Sequence, residues 1–373
     1  MNRTVVVVGG GYAGSLVAKA LDADADVILI DPREAFVNAA ASLRALTQPD
    51  WAPNAFFSFA TLLERGRVLR DRAASVDPRG VTLASGERVE ADYLVLATGS
   101  GYTYPAKPHH GSTSIAEQLG DLRETHQELA GTHRVLILGA GPVGLELAGE
   151  IKEVWPDKQV IVVDRTDQLL PGFLPEVQDD LRRQLDKLGV ELHLGTGLTA
   201  LPTIDAGRAG HVAVTTDRGD EIVADIWFRA FGVRTNTDYL ADGTLTPLTE
   251  QATVPVTERL NVQGYDHVYA IGDIAALPDP KMASYAMTHA EVVVQNITAQ
   301  LAGDQPGTVW SPTAERRILL PLGTHGGAGQ LPTPDGAAPA TAQMVYERKG
   351  ADLFTAKFAS RFSNPRRSIN DWD

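Results

Sequence analysis

Residues 4–31 read TVVVVGGGYAGSLVAKALDADADVILID, and this stretch decides the fold of the chain. It begins with a β-branched apolar run from Thr4 to Val8, which is typical of a buried parallel strand. A loop with the spacing G-x-G-x-x-G follows, and then residues 15–21 with helical character. A second apolar run, Val27 to Ile30, ends on Asp31. This order of strand, loop, helix, strand and acid predicts a βαβ unit that binds a dinucleotide.

Each glycine of this first loop has a physical role. Gly9 makes the tight turn, Gly11 lets the backbone approach a diphosphate, and Gly14 lets the helix pack closely on the strand. The N-terminus of the helix offers N–H donors and the positive end of its dipole to the phosphates. Asp31 is placed to accept hydrogen bonds from the adenosine ribose. The predicted contacts of this first dinucleotide are Gly9, Gly10, Gly11, Tyr12, Ala13, Gly14 and Asp31.

The same pattern returns at residues 134–164, which read RVLILGAGPVGLELAGEIKEVWPDKQVIVVD. Two complete fingerprints predict that the chain binds two dinucleotides, or one dinucleotide cofactor and one dinucleotide substrate. Asp164 ends the second strand, where a carboxylate can hold the 2′-hydroxyl of NAD and repel the 2′-phosphate of NADP. Arg165 can partly offset that repulsion. We therefore expect NADH to be preferred over NADPH.

The composition narrows the possible functions. The 373 residues include no cysteine, which excludes a redox-active disulfide, thiolate catalysis and a cysteine-ligated iron–sulfur cluster. A net charge of −14 argues against general nucleic-acid binding. His109 and His110 have no companion ligands in the sequence, so no metal site is expected. We also expect no signal peptide, no membrane-spanning helix and no myristoylation at Asn2, and hence a cytoplasmic protein.

Two further buried strands end in glycine turns. Residues 92–99 end on Ala97-Thr98-Gly99, whose small side chains permit close approach of a cofactor. Residues 267–273 place Asp273 at the carboxyl end of a parallel strand, where α/β sheets bind ligands. Lys281-Met282-Ala283 then begins a long helix. Its N-terminus is expected to direct backbone N–H groups at the pyrimidine carbonyl of a flavin, while Asp273 accepts from a ribityl hydroxyl.

These motifs resemble the pyridine nucleotide-disulfide oxidoreductase superfamily of flavoproteins. The resemblance rests on the two fingerprints and on residues 96–99, 268–273 and 281–290, and it covers nearly the whole chain. Within the superfamily, the chain is most similar to the branch of apoptosis-inducing factor 2, or ferroptosis suppressor proteins, which is close to the type II NADH:quinone oxidoreductases. The resemblance implies FAD on the first fingerprint, NAD(P)H on the second, and a small-molecule electron acceptor of the quinone type.

The resemblance also implies Arg44, Val68 and Asp273 as FAD contacts, with Val68 acting through its backbone only. From spacing alone, Arg44 is a solvated charge or a contact of the diphosphate, and the solvated interpretation is favoured; the resemblance favours the second. The sequence identifies no catalytic residue, since the flavin carries the chemistry, and Glu146 is the one candidate. Glu146 contacts the nicotinamide ribose or the flavin edge, or it is an ordinary helix-start acid. The other predicted cofactor contacts are Ala97, Thr98, Gly99, Gly139, Gly141, Gly144, Asp164, Gly232, Gly272, Lys281, Met282 and Ala283.

The implied fold class is α/β, with two Rossmann-like dinucleotide-binding domains and a small C-terminal α+β segment. The FAD domain is interrupted by the NAD domain. The predicted FAD-binding parts are residues 1–105 and 255–305, the NAD(P)H-binding domain is 106–254, and the C-terminal segment is 306–373. One turn departs from the family pattern, because the usual Thr-Gly of the NAD domain is Phe231-Gly232 here, which can change cofactor stacking or NADH access.

Near the C-terminus, residues 346–362 are expected to hold a strand and then a helix. Phe354, Phe358 and Phe362 recur every four residues beside a basic flank. This aromatic stripe either packs on the FAD domain, or lines a quinone tunnel or touches an anionic membrane surface. Arg366 and Arg367 would add to the second interpretation, which implies peripheral membrane contact.

The favoured function is that of an FAD-dependent NAD(P)H dehydrogenase resembling quinone reductases. One alternative is an NADH-dependent reductase of a small electron-carrier protein such as a ferredoxin or rubredoxin. The net charge argues mildly against it, because such carriers are usually acidic. The other alternative is a redox-sensing NADH-binding flavoprotein. The sequence does not predict the oligomeric state.

Overall fold

The computed structural model describes residues 3–312 and 315–363. The first part of the chain forms β1 (Thr4–Val8), α1 (Tyr12–Leu21), β2 (Asp26–Ile30), β3 (Ala35–Val37), α2 (Ser42–Thr47), β4 (Phe56–Ser58), β5 (Arg67–Leu69), β6 (Ala73–Asp77), β7 (Gly80–Leu83), β8 (Arg88–Glu90), β9 (Tyr93–Leu96), β10 (Ser100–Gly101) and α3 (Ile115–Ala130). The middle part forms β11 (Arg134–Leu138), α4 (Pro142–Val154), β12 (Gln159–Asp164), α5 (Pro175–Leu188), β13 (Val190–Leu194), β14 (Val212–Thr215), β15 (Glu221–Ala224), β16 (Ile226–Arg229) and β17 (Arg234–Thr235). The last part forms β18 (Val268–Ala270), α6 (Ala283–Leu301), β19 (Ile318–Leu322), β20 (Gly326–Thr333), β21 (Gly336–Ala340), α7 (Ala342–Val345) and α8 (Thr355–Phe362).

The first sheet is parallel, with the strand order β18-β9-β1-β2-β5. Its central strand β1 carries four successive valines that are at most 2% exposed, as expected of a strand covered on both faces. In this strand Val5 pairs with Val27 on one side and with Tyr93 on the other. Strand β18 joins the sheet only after the chain has built the second sheet. The carboxyl ends of β1, β9 and β18 therefore lie side by side at one edge.

The second sheet is also parallel, with the order β13-β12-β11-β16. Its central strand β11 aligns Val135 with Val160 of β12 and with Ile226 of β16. Helices α4 and α5 pack on one face, and the β14–β15 hairpin packs on the other. The predicted α/β class with two Rossmann-like units is confirmed. The bounds of the four predicted segments stay predictions.

The C-terminal segment adds an antiparallel sheet, β19-β20-β21, followed by helical structure. The strand expected from residue 346 is wrong, because Tyr346–Gly350 forms a π-helical turn that continues from α7. In this turn the Ala351 amide donates to the Tyr346 carbonyl over 2.9 Å. The local sequence did not predict this π-helical turn, because the turn is also held by contacts with distant parts of the chain.

The predicted aromatic stripe is divided between a turn and a helix. Phe354 precedes α8 in a left-handed conformation with φ +65°, whereas Phe358 and Phe362 lie on α8. Phe358 and Phe362 are 1% and 4% exposed, and their ring centroids lie 5.0 and 5.3 Å from that of Phe36. The structure therefore favours packing on the first unit over a lipid-facing surface. Arg366 and Arg367 lie outside the described residues.

Candidate dinucleotide-binding sites

The first glycine loop has three glycines with three different environments. Gly9 has φ +102°, and a Cβ atom there would lie 2.5 Å from the Ala97 carbonyl oxygen. A Cβ at Gly14 would lie 1.8 Å from the Gly9 carbonyl oxygen, whereas nothing lies within 4 Å of a Cβ at Gly11. Gly9 and Gly14 are therefore required by the fold itself. The open space at Gly11 is where a ligand can approach the backbone.

The second loop repeats this arrangement. Gly139 has φ +114°, and its Cβ would lie 2.6 Å from the Ala230 carbonyl oxygen. A Cβ at Gly144 would lie 1.9 Å from the Gly139 carbonyl oxygen, and nothing lies within 4 Å of a Cβ at Gly141. The two copies of the sequence motif therefore fold into loops of the same geometry.

The helices that follow the loops begin with free N–H donors. Among the described residues, no side chain caps the N-terminus of α1 or α4. Each helix starts directly after the glycine that leaves open space, Gly11 or Gly141. Unsatisfied N–H groups and the positive end of a helix dipole facing open space fit a diphosphate group. Both sites therefore have the features needed to hold a dinucleotide.

The aspartates at the ends of the two strands, Asp31 and Asp164, accept hydrogen bonds from the glycine loops in the same way. Asp31 Oδ2 accepts from the Gly10 amide over 2.7 Å, and Asp164 Oδ2 accepts from the Ala140 amide over 2.6 Å. Burial opposes the charged form of Asp31, but the Arg33 charge and hydrogen bonds outweigh it and lower the pKa of this carboxyl. Arg33 Nε and Nη2 lie 3.0 and 2.9 Å from the carboxylate. A ribose would have to share Asp31 with Arg33, so the predicted ribose contact stays a prediction.

The carboxyl edge of the first sheet brings together residues from distant parts of the sequence. Asp273 follows β18, and its Oδ2 accepts from Ser100 Oγ over 2.5 Å. Lys107 Nζ donates to the same hydroxyl over 3.2 Å, and burial lowers the pKa of Lys107. Lys281 Nζ donates to the Asp273 carbonyl. The sequence indicated Asp273 and Lys281 but missed Ser100 and Lys107, because neither stands in a recognisable motif.

A buried histidine supports the turn that carries Asp273. His289 on α6 accepts the Gly272 amide at Nδ1 over 3.2 Å, so its Nε2 carries the proton that faces Asp279 Oδ2 at 3.0 Å. Trp310 Nε1 donates to the same carboxylate oxygen over 3.1 Å. Burial lowers the pKa of His289, and Asp279 offsets part of that effect. The neutral imidazole of His289 therefore holds the turn in place.

Arg44 and Glu150 form a buried ion pair between the first unit and α4. Both side chains are 3% exposed, and Arg44 Nη2 lies 2.9 Å from Glu150 Oε1. Arg44 Nη1 also donates to the Gly350 carbonyl over 2.8 Å. The interpretation of Arg44 as a solvated charge is therefore wrong. Its implied contact with FAD stays a prediction.

Glu146 lies one helical turn before Glu150 on α4. The interpretation as a helix-start acid is wrong, because the first turn of α4 holds no acidic residue. Burial raises the pKa of Glu146, and Lys349, whose Nζ lies 2.7 Å from Oε1, works in the opposite direction. Two carboxylates on one helix face thus hold Arg44 from the first unit and Lys349 from the C-terminal segment.

The remaining predicted contacts have the following positions in the fold. Tyr12 begins α1, and its hydroxyl donates to Asn38 Oδ1 over 2.9 Å. Val68 lies on β5 opposite Leu29, and Gly232 follows β16 with φ +93°. The other members take the following positions: Ala13 on α1, Ala97, Thr98 and Gly99 after β9, and Lys281, Met282 and Ala283 at the start of α6. Their contacts with cofactors stay predictions.

The described part of the chain offers neither a membrane span nor a metal site. None of its helices is both long and apolar enough to cross a bilayer. It also holds no group of three or more His, Cys, Asp or Glu side chains arranged to bind a metal ion.

Comparisons with known proteins agree with this geometry. A family model described as pyridine nucleotide-disulphide oxidoreductase matches residues 3–292. The ferroptosis suppressor protein 1 of Taeniopygia guttata is 30% identical over 359 residues, which cover 95% of this chain and 94% of that protein. The solved sulfide:quinone oxidoreductase of Aquifex aeolicus has a TM-score of 0.74 at 17% identity and covers 96% of this chain and 91% of its own. NDH2 of Plasmodium falciparum, solved with NADH, has a TM-score of 0.70 at 14% identity and covers 98% of this chain and 100% of its own. The two solved structures support the fold alone.

Proposed function

The chain belongs to the pyridine nucleotide-disulphide oxidoreductase family, and we propose that it passes a hydride from NADH to FAD and then electrons to a quinone-type acceptor. Membership makes it a flavin-dependent oxidoreductase that binds FAD and uses NAD(P)H. The preference for NADH and the nature of the acceptor are the parts proposed here.

The observation that carries the proposal is the contact between the glycine turn after β9 and the residue that follows β17. Thr98 Oγ1 donates to the Asn236 carbonyl over 2.7 Å, and Asn236 Nδ2 donates to the Thr98 carbonyl over 2.9 Å. Strands β10 and β17 pair next to this contact. The turn that follows β9 is thus fastened to the chain just beyond β17, which supports two sites that open onto one shared cleft.

The protein contributes binding and electrostatics. When bound, FAD supplies the hydride-accepting and electron-passing chemistry. The free N–H groups at the start of α1 and α4 would hold the phosphates, and Asp273 would orient the ribityl chain. The N-terminus of α6, which begins at Ala283, would offer a partial positive charge to the flavin. The hydride transfer itself requires no acid or base from the chain.

Two features support the choice of electron donor and acceptor. Asp164 accepts from Thr166 N and Oγ1 over 2.8 and 2.7 Å, and among residues 3–312 and 315–363 no arginine forms an ion pair with it as Arg33 does with Asp31. A carboxylate held in this way favours the ribose hydroxyls of NADH over the extra phosphate of NADPH. The chain has no cysteine, which separates it from the disulfide reductases of the family and favours an acceptor such as a quinone.

Anaerobic stopped-flow absorption of the purified holoenzyme tests the proposal. NADH is expected to bleach the oxidised flavin faster than NADPH, and a soluble quinone is expected to reoxidise it faster than ferredoxin or rubredoxin. If a carrier protein reoxidises the flavin faster than the quinone does, the acceptor is the carrier protein and not a quinone. Slow turnover with every acceptor, together with a conformational change on NADH addition, would support a redox sensor instead. A protein that cannot be reconstituted with FAD would overturn the proposal as a whole.

A further inference from the structure

Arg229 occupies a specific place beside the second glycine loop. It is the last residue of β16, and its register partner on β11 is Leu138, which immediately precedes Gly139. The turn that follows it is Ala230-Phe231-Gly232. In a parallel sheet, ligands bind outside the carboxyl ends of adjacent strands, where the chain passes from one strand to the next. Arg229 therefore stands at the edge of the predicted nicotinamide-nucleotide site.

The guanidinium of Arg229 lacks a polar partner. Its Nε is buried and unpaired, and among residues 3–312 and 315–363 the guanidinium donates no hydrogen bond and forms no ion pair. The other arginines near the two sites differ, since Arg33 pairs with Asp31 and Arg44 pairs with Glu150. Burying a charged donor without an acceptor is unfavourable. An unpaired guanidinium at the edge of a ligand site therefore indicates an anionic ligand.

An aromatic ring holds this guanidinium in place. Its central carbon lies 4.5 Å from the ring centroid of Phe231, and that side chain is 41% exposed. A Cβ atom added at Gly232 would lie 2.8 Å from Arg229 Nη2, so only a glycine leaves room for this arrangement without a shift. Stacking on Phe231 restricts the guanidinium and keeps its edges available for hydrogen bonds. This accounts for the phenylalanine that replaces the threonine usual in this turn.

We infer that Arg229, fixed on Phe231, binds the diphosphate of the pyridine nucleotide on its nicotinamide side. A guanidinium is the side chain best suited to phosphate oxygens, because it offers parallel N–H donors and keeps its charge. The inference rests on the proposed use of the second site by NAD(H). It adds a charged side-chain contact to the backbone N–H groups of the Gly139 to Gly144 loop.

Calorimetric titration of the oxidised holoenzyme tests the inference without turnover. The probes are NAD⁺, which carries the nicotinamide-side phosphate, and AMP, which lacks it. We expect Arg229→Gln to weaken NAD⁺ binding about tenfold, equivalent to about 1.4 kcal/mol, and to leave AMP binding within about twofold. Arg229→Lys keeps the charge without the fork and should fall between wild type and the glutamine variant. Phe231→Thr should weaken NAD⁺ binding less than Arg229→Gln does.

Arg234 supplies the matched control. It follows the same turn, but its side chain is 76% exposed and its Nη2 lies 2.8 Å from Asp238 Oδ1. Arg234→Gln removes the same charge and should change neither affinity. An unchanged NAD⁺ affinity in Arg229→Gln, or an equal loss for NAD⁺ and AMP, would overturn the inference. If Arg229→Gln fails to retain FAD, Arg229→Lys and Phe231→Thr are used in its place, and the inference is tested by whether they lose affinity for NAD⁺ but not for AMP. Wild-type protein that binds no NAD⁺ and whose flavin NADH does not reduce would instead overturn the proposed function.

Discussion

Replacing Arg44 with methionine tests how the first unit, α4 and the C-terminal segment are held together. The substitution leaves the Glu150 carboxylate, 3% exposed, without the guanidinium that lies 2.9 Å away. It also leaves the Gly350 carbonyl without the Arg44 donor. Removing one partner of a buried ion pair costs about 3–5 kcal/mol, because the remaining charge stays in a poorly solvated place.

The double variant Arg44→Met, Glu150→Leu removes both charges and fills the space with apolar atoms. Replacement of a whole buried pair in this way is often close to neutral. For unfolding entropies near 2.1 cal/mol/K per residue, the single change should lower the Tm of a chain of 373 residues by roughly 4–6 °C. The double variant should recover most of that loss.

The assay is differential scanning calorimetry of the holoenzyme at fixed FAD concentration, together with the FAD dissociation constant from flavin fluorescence. Arg3→Met is the control, because Arg3 lies 2.8 Å from Asp92 but is 64% exposed, and a surface pair contributes about 0–1 kcal/mol. If Arg44 also contacts FAD, the double variant will recover Tm but not FAD affinity. The single variant Glu150→Leu completes the comparison. If the Tm loss of the double variant equals the sum of the losses of Arg44→Met and Glu150→Leu, the reasoning is refuted, because Arg44 and Glu150 then do not stabilise each other.

Three further results are expected. Gly14→Ala should abolish FAD incorporation because its Cβ would meet the Gly9 carbonyl oxygen at 1.8 Å, whereas Gly11→Ala should fold and weaken FAD binding, as flavin absorbance of the purified proteins will show. Asp164→Ala should reduce the ratio of kcat/KM for NADH to that for NADPH by about tenfold, since one charge-assisted contact is lost and a repulsion is removed. The pKa of His289 is lowered in the folded protein from 6.5, so its contribution to stability is full above pH 6.5 and is lost as the pH falls below that value. Tm measured from pH 5 to pH 8 should therefore fall more steeply on acidification in wild type than in His289→Asn.

Local sequence predicted the parts of the sites that are local in the structure. Gly9 and Gly14 are separated by five positions and contact each other directly, so a short motif records their geometry. The strand runs around them are continuous apolar stretches, and their burial follows from composition alone. The alternation of strand and helix then limited the possible folds to the parallel class.

The contacts between distant segments could not be predicted in this way. The Arg44–Glu150 pair joins residues 106 positions apart, and the Asn38–Leu353 hydrogen bond joins residues 315 positions apart. No periodic pattern records such pairs. Phe354 shows that a matching spacing can also mislead. It stands four residues before Phe358, as on a helix, but its left-handed backbone places it outside α8. Side-chain spacing carries no information about a single residue with positive φ.

The two sites have glycine loops of the same geometry but differ in what surrounds the loop. The difference is consistent with a cofactor that stays bound at the first site and a substrate that exchanges at the second. At the first site, Arg361 on α8 donates to Tyr12 O and Ser15 Oγ over 3.1 and 3.2 Å, so the C-terminal helix is fastened to the helix that follows the glycine loop. Asp31 there is only 2% exposed. At the second site, Asp164 is partly exposed and Phe231 is 41% exposed. We therefore expect a dinucleotide at the first site to exchange more slowly than one at the second, because more packed structure surrounds the first site. This asymmetry is what a flavin enzyme requires, because the dinucleotide must leave after each hydride while the flavin stays.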